Sequence, residues 1–277
     1  MLNKIIDKFL VRQETTSPLL IGATGGSGTR ALHGALGAAG FFVGTRLNHA
    51  GDAMDFEPFL DEIINPVLRE TRSLDYALDQ LSSGTRAVAV RGFKAALKAY
   101  TAELPKNAGH WGWKNPRSMY ILPIIATACP GMRFLHLVRD GRDMALSDNQ
   151  NQPNKHYEAL FGESYEGPAP EGPAPEFAIR LWATANCQVA DWGERELGNR
   201  YMRIRFEDLC AAPSVVLSDA LISSGVEPAL ADRAGAGADA VIRTPSSVGR
   251  WRSIPGEDAR ALTEKAAASL ERFGYQF

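Results

Sequence analysis

Apolar residues gather in four short runs bounded by turn residues, at Pro18–Gly22, His110–Lys114, Arg133–Val138 and Tyr201–Phe206. Each has the length and nearly continuous apolar character of a strand buried on both faces. Between these runs apolar positions recur every three or four residues. That spacing predicts helices over Gly28–Ala39, Glu57–Arg69, Leu74–Leu81, Arg86–Glu103, Pro116–Ala128, Gly141–Asp148, Pro175–Leu197, Pro213–Ser224 and Gly256–Phe273. Strands that alternate with helices pair in parallel, because each crossover helix returns the chain to the same end of the sheet. The expected fold is α/β: a single domain over residues 1–277, with a central, mostly parallel sheet of four or five strands flanked by helices. Two segments depart from the pattern. Residues 2–11 space their apolar side chains as a short amphipathic helix suited to docking. Residues 149–175 start with the polar run NQNQPNK and contain GPAPEGPAPE, which predicts an extended, mobile loop of polyproline character and a candidate lid.

Composition narrows the picture. A chain of 277 residues with 45% hydrophobic positions buries a large core without covalent staples. Its three cysteines, Cys129, Cys187 and Cys210, show neither disulfide nor zinc spacing, which fits a reducing compartment. No run approaches the roughly 18 apolar residues of a membrane helix, so a cytoplasmic protein with no integral membrane segment is expected. The net charge of −2 argues against nucleic acid as a partner. An anionic ligand must then be held by local groups.

One candidate for such a site is ATGGSGTR, which joins the first strand to the first helix and follows directly on PLLIG. Gly22, Gly25, Gly26 and Gly28 allow a tight turn that aims backbone N–H groups at one point, with the N-terminus of a helix behind them. A Walker loop needs a lysine after its last glycine, and Thr29 stands there instead. A second reading, the glycine-rich turn of an NAD(P)-dependent short-chain dehydrogenase, lacks the YxxxK pair: Tyr76 meets Gln80, Tyr100 meets Leu104, Tyr120 meets Ile124 and Tyr201 meets Arg205. A non-catalytic nucleotide-binding protein is a third reading.

A second candidate is WGWKNPRSMYILPIIATACPGMRFLHLVRDGRDMALS, residues 111–147. Its buried strand RFLHLV runs into Arg139, at the carboxyl end where open parallel sheets bind ligands, and Ser147 follows eight positions later. Together with Ser27–Gly28–Thr29 at the first turn, this stretch resembles the sulfotransferases that use 3′-phosphoadenosine 5′-phosphosulfate (PAPS), which have a P-loop-like fold. The resemblance implies PAPS as donor and adenosine 3′,5′-bisphosphate as product. It places the 5′-phosphosulfate on Gly25, Gly26, Ser27, Gly28, Thr29 and Arg30, and the 3′-phosphate on Arg139 and Ser147. RFEDL puts Phe206 where the family's YEDL segment has an aromatic beside the adenine. SSVGRWRS resembles the Gly-x-Trp segment that closes over the nucleotide, with Arg250 and Trp251 as candidates.

The family places a basic residue just before SGT to neutralise the leaving phosphate, and this chain has Gly26 there. Lys114 and Arg30 are the candidate replacements. An acceptor hydroxyl needs a base. The stretch TRLNHAGDAMDFEPF offers His49, Asp52, Asp55 and Glu57, of which Asp52 and Asp55 are favoured. His110 and His136 read as core histidines, and no metal ligand set is signalled. A small-molecule or carbohydrate acceptor is expected.

Overall fold

The computed structural model describes residues 17–164 and 174–276. The expected helix over 2–11 and the central part of the expected lid, 165–173, lie outside the described residues. Four parallel strands, β1 (Leu19–Gly22), β2 (Gly112–Lys114), β3 (Arg133–Val138) and β4 (Tyr201–Arg205), form one sheet in the order β2-β1-β3-β4. In register, Ile21 pairs with Lys114 on one side and with Leu135 on the other, and Leu137 pairs with Ile204. The chain steps from β1 outward to β2 and then crosses to the opposite side of β1. The crevice beyond the carboxyl end of β1 is therefore the topological switch point, where α/β sheets take their ligands.

The connections between strands carry helices α1 (Thr29–Ala38), α2 (Glu57–Thr71), α3 (Ser83–Ala102), α4 (Leu122–Ala128), α5 (Gly141–Ala145), α6 (Asn151–Phe161) and α7 (Pro175–Glu196). After β4 follow α8 (Phe206–Ala211), α9 (Pro213–Ser223), α10 (Pro228–Val241), α11 (Gly256–Lys265) and α12 (Ala267–Arg272). Alternate strand residues face opposite layers. Leu20, Trp113 and Phe134 pack under α2, α3 and α7, while Leu19, Ile21, Leu135 and Ile204 pack under α1, α9 and α10. Phe56 stacks on Trp113 with ring centroids 4.6 Å apart, and Tyr100 donates its hydroxyl to the Gly112 carbonyl. This aromatic layer anchors the segment after α1 beside the carboxyl end of β2.

Several sequence expectations shift. Residues 151–161, read as loop, form α6: its start is polar, but Pro153, His156, Tyr157 and Leu160 share one buried face. Proline is tolerated there because it lies in the first turn, where its missing N–H costs nothing. Helix α10 was not expected, since PALADRAGAGADAV is rich in small residues. The structure explains those residues: a Cβ on Gly235 would lie 2.7 Å from the Ser214 carbonyl, and one on Gly237 2.9 Å from the Ala35 carbonyl. The helix expected over Leu74–Leu81 shrinks to a 3-10 turn, Leu78–Gln80. Pro116–Ala128 is a 3-10 turn followed by α4, and Gly256–Phe273 breaks at Ala266 into α11 and α12. His136 is a core residue, bonded to the Tyr201 hydroxyl at 2.8 Å and to Asn186 Oδ1 at 2.9 Å, and burial pushes its pKa down to about 3. Among the described residues no helix is long and apolar enough to cross a membrane.

Candidate active site

The first turn is built as its glycines demand. Gly26 and Gly28 both have φ of +87°, a region that disfavours any side chain. Gly28 ends the turn at the start of α1 and offers no side-chain cap, so the first N–H groups of that helix are left for a ligand. Ser27 is buried and donates its hydroxyl to the Thr24 carbonyl at 2.6 Å. It shapes the loop from behind, while Gly25, Gly26, Gly28, Thr29 and Arg30 line the adjoining cleft.

On the other flank, β3 delivers Arg139 and α5 leads to Ser147. The Ser147 hydroxyl oxygen is 3.4 Å from the point a Cβ on Gly26 would occupy, so the two expected anion elements touch. Phe206 joins them from below. Its ring would stand 2.2 Å from a Cβ on Gly28, and the Arg139 guanidinium lies 5.2 Å above its centroid. Phe206 is only 4% exposed and packs as a floor beneath the turn. Arg139 Nη2 donates to the Ser247 carbonyl at 2.6 Å and to the Ser247 hydroxyl at 3.0 Å, and it faces Asp143 at 3.6 Å. Its Nε is buried with no hydrogen-bond partner among the described residues.

The cleft beside the loop has a volume of about 400 Å³. Lys114, 1% exposed at the end of β2, donates from Nζ to Asp52 Oδ1 at 2.5 Å and to the Ala50 carbonyl at 2.7 Å. Burial pushes the Lys114 pKa down; the nearby Arg30 cation adds to this, and Asp52 opposes it. Asn48 fixes Asp52 by donating to its other carboxylate oxygen at 2.9 Å, while accepting from the Asp52 and Ala50 N–H groups. Arg30 is exposed and makes no hydrogen bond or ion pair among the described residues. Asp55 stands apart: it is bound to Arg46 at 2.9 Å and does not line the cleft. His49 is exposed and also lies outside the lining. Glu57 does line the cleft, tied to Asn115 and Arg117.

The sheet thus carries an uncapped glycine turn at its switch point and an arginine at the next strand end. The model of the sulfotransferase family matches residues 18–227, about three quarters of the 277-residue chain. The chain belongs to the sulfotransferase family. Solved structures share its fold at low identity. A sulfotransferase domain from the curacin biosynthetic pathway matches with a TM-score of 0.54 and 14% identity, over 96% of this chain and 100% of that one. A Mycobacterium tuberculosis sulfotransferase gives 0.53 and 14%, over 96% and 80% of the two chains. One from Alicyclobacillus acidocaldarius gives 0.53 and 15%, over 93% and 94%. The sequence matches no curated protein.

In this member of the sulfotransferase family, the SSVGRWRS segment is held by a buried carboxylate. Asp143 Oδ2 accepts from the Gly249 N–H at 2.7 Å, and Oδ1 accepts from the Trp251 N–H at 3.2 Å. The Arg142 guanidinium lies over the Trp251 ring 3.6 Å from its centroid, and that of Arg252 at 4.6 Å. Arg250 donates to the Leu146 carbonyl at 2.9 Å. Both expected contacts therefore pack the segment against α5 in this structure. Two residues escaped the sequence reading. Ser247 reaches Arg139 across more than 100 positions of chain, which no local spacing signals. Gln152 on α6 donates to the Ala23 carbonyl at 3.1 Å and accepts from the Tyr120 hydroxyl at 3.2 Å, bracing the glycine turn from a segment expected to be loop.

Proposed function

We propose that this chain transfers the sulfuryl group of PAPS to a hydroxyl or amine of an acceptor by direct in-line displacement. The observation that carries the reading is the position of the glycine turn between the two other candidate elements: it lines one cleft with Lys114 and Asp52, while Gly26 lies against Ser147 and Gly28 against the Phe206 ring that carries Arg139, both Ser147 and Arg139 standing outside that cleft's lining. A nucleotide with phosphates at both ends of its ribose requires two neighbouring anion sites separated by the width of one sugar. The residues fit such a donor: the turn leaves N–H groups open, and Arg139 retains a buried donor with no partner. Ser247, already bonded to Arg139, is an added candidate for the 3′-phosphate.

When bound, PAPS supplies a sulfur atom open to attack and a phosphate leaving group. The acceptor oxygen forms the new O–S bond while the bond from sulfur to the bridging phosphate oxygen breaks, and the bisphosphate leaves with the bonding pair. Asp52 is positioned to take the acceptor proton, and Lys114 to neutralise the charge that grows on the leaving oxygen. Lys114 and Arg30 thus stand in for the basic residue that Gly26 replaces. Asp55 has no part in this scheme, because its place beside Arg46 puts it outside the cleft.

Calorimetric titration tests the donor reading. Adenosine 3′,5′-bisphosphate is expected to bind, and Arg139→Ala to weaken it by about 1.5–3 kcal/mol, roughly 10- to 150-fold, the scale of a charge-assisted contact. Unchanged affinity in that variant, or binding of NADH in place of the bisphosphate, overturns the assignment.

A further inference from the structure

We infer that the acceptor is a neutral, polyhydroxylated molecule of the sugar class, not a phenol, a sterol or a long-chain alcohol; this rests on the donor reading above. The inference comes from what faces the cleft beyond the phosphate loop. Pockets that take aromatic or aliphatic ligands are walled mostly by apolar and aromatic side chains. Here no aromatic ring and no leucine, isoleucine or valine lines the cleft among the described residues, and its apolar lining side chains are Ala50, Met54 and Pro116. A naphthol or sterol ring placed there would meet no aromatic or branched aliphatic side chain to pack on among the described residues.

Charge narrows the class further. The ionised groups of this wall are paired internally: Lys114 with Asp52, Arg117 with Glu57, and Lys155 with Asp61 at 3.0 Å. Each pair cancels its own charge, so the wall offers no net field to recruit an ionised acceptor. The remaining cation, Arg30, sits on the phosphate turn, on the donor's side of the cleft.

Uncommitted hydrogen-bonding groups point to hydroxyls. Asn151 is exposed in the lining and its side chain makes no hydrogen bond among the described residues. Asn149 uses its Oδ1 on the Asn151 N–H at 3.4 Å, while its Nδ2 lies 3.8 Å from the position of a Cβ on Gly25. A carboxamide both donates and accepts, as a hydroxyl does, so carboxamides suit a ligand that carries several hydroxyls. The rim pair Lys155–Asp61 is half-exposed and offers further donors and acceptors of the same kind.

Saturation-transfer NMR tests this on the full chain with adenosine 3′,5′-bisphosphate bound, so that no turnover is needed. The probes are methyl β-D-glucopyranoside, N-acetylglucosamine, methyl glucuronide and 2-naphthol. We expect transfer to the two neutral sugars and not to 2-naphthol. The double variant N151L/K155M, altered only at exposed positions, should weaken sugar binding by at least about tenfold, as loss of two hydrogen bonds requires. Preference for 2-naphthol, preference for the glucuronide, no transfer to either neutral sugar, or sugar binding unmoved in the variant each overturns the inference. Calorimetry with the bisphosphate alone reports separately on the donor: binding there with failure of the sugars leaves the donor reading intact, and its absence removes the basis of both.

Discussion

Replacing Lys114 by alanine is expected to lower kcat by roughly 10²- to 10³-fold, the usual cost of removing one preorganised charge from a site where charge develops. In the proposed mechanism Lys114 acts on the leaving oxygen, whereas the turn and Arg139 would hold the ground-state phosphates. Affinity for adenosine 3′,5′-bisphosphate should therefore fall by less than about tenfold, a split that separates a transition-state role from ground-state binding. Equal losses in kcat and in affinity would assign Lys114 to binding. The ionisation of Lys114 gives a second readout. Burial and the Arg30 cation depress its pKa, so the active ammonium is lost as pH rises through a value below that of an exposed lysine. The alkaline limb of kcat/KM, which reports the free enzyme, should lie correspondingly low. Arg30→Ala removes one of the depressing charges and should move that limb to higher pH. A limb unmoved by this change would show that another group controls it. Arginine is a poor substitute at position 114, because its planar fork does not match the compact ammonium that bonds Asp52 and the Ala50 carbonyl here.

The parts of this site that local spacing encodes were legible in the sequence. Four apolar runs gave the four strands, and glycines spaced through ATGGSGTR gave a turn whose positive φ angles are present in the structure. Arg139 and Ser147 were legible for the same reason: one strand and one short helix fix their separation. Long-range choices were not. Asp52 and Asp55 are three residues apart in a polar stretch, and only the turn that Asn48 organises decides which of them meets Lys114. Asp55 meets Arg46 instead. An aromatic that ends a strand serves equally as ligand or as floor, so the packing of Phe206 against Gly28 was not legible from RFEDL alone. Ser247 and Gln152 act through bonds to Arg139 and to the Ala23 carbonyl that join distant parts of the chain. Their sequence neighbourhoods, a Ser/Pro turn and a polar run, carry no periodic signal for either role.

The coupling between floor and site leads to the second large effect. Gly28→Ala is expected both to destabilise the protein and to weaken nucleotide binding, because one added methyl meets two obstacles. Alanine at a φ of +87° is strained by about 1–2 kcal/mol. The same Cβ would stand 2.2 Å from the Phe206 ring, a separation no side chain tolerates, so the ring must move. Overpacking of this kind adds about 1–3 kcal/mol. Together these predict a melting temperature lower by roughly 5–15 °C for a chain of this size. Phe206 cannot shift without disturbing Arg139, whose guanidinium lies 5.2 Å over its centroid. Affinity for adenosine 3′,5′-bisphosphate should accordingly fall by at least about tenfold, because both anion elements lose their registry. Phe206→Leu placed in the Gly28→Ala background relieves the collision but leaves the strained φ. Thermal denaturation should then recover in part, while nucleotide affinity stays low because the floor under Arg139 is gone. Full recovery of affinity in the double variant would show that Phe206 does not link the phosphate turn to Arg139. An unchanged melting temperature in Gly28→Ala alone would show that the turn relaxes freely, contrary to its close packing against the ring.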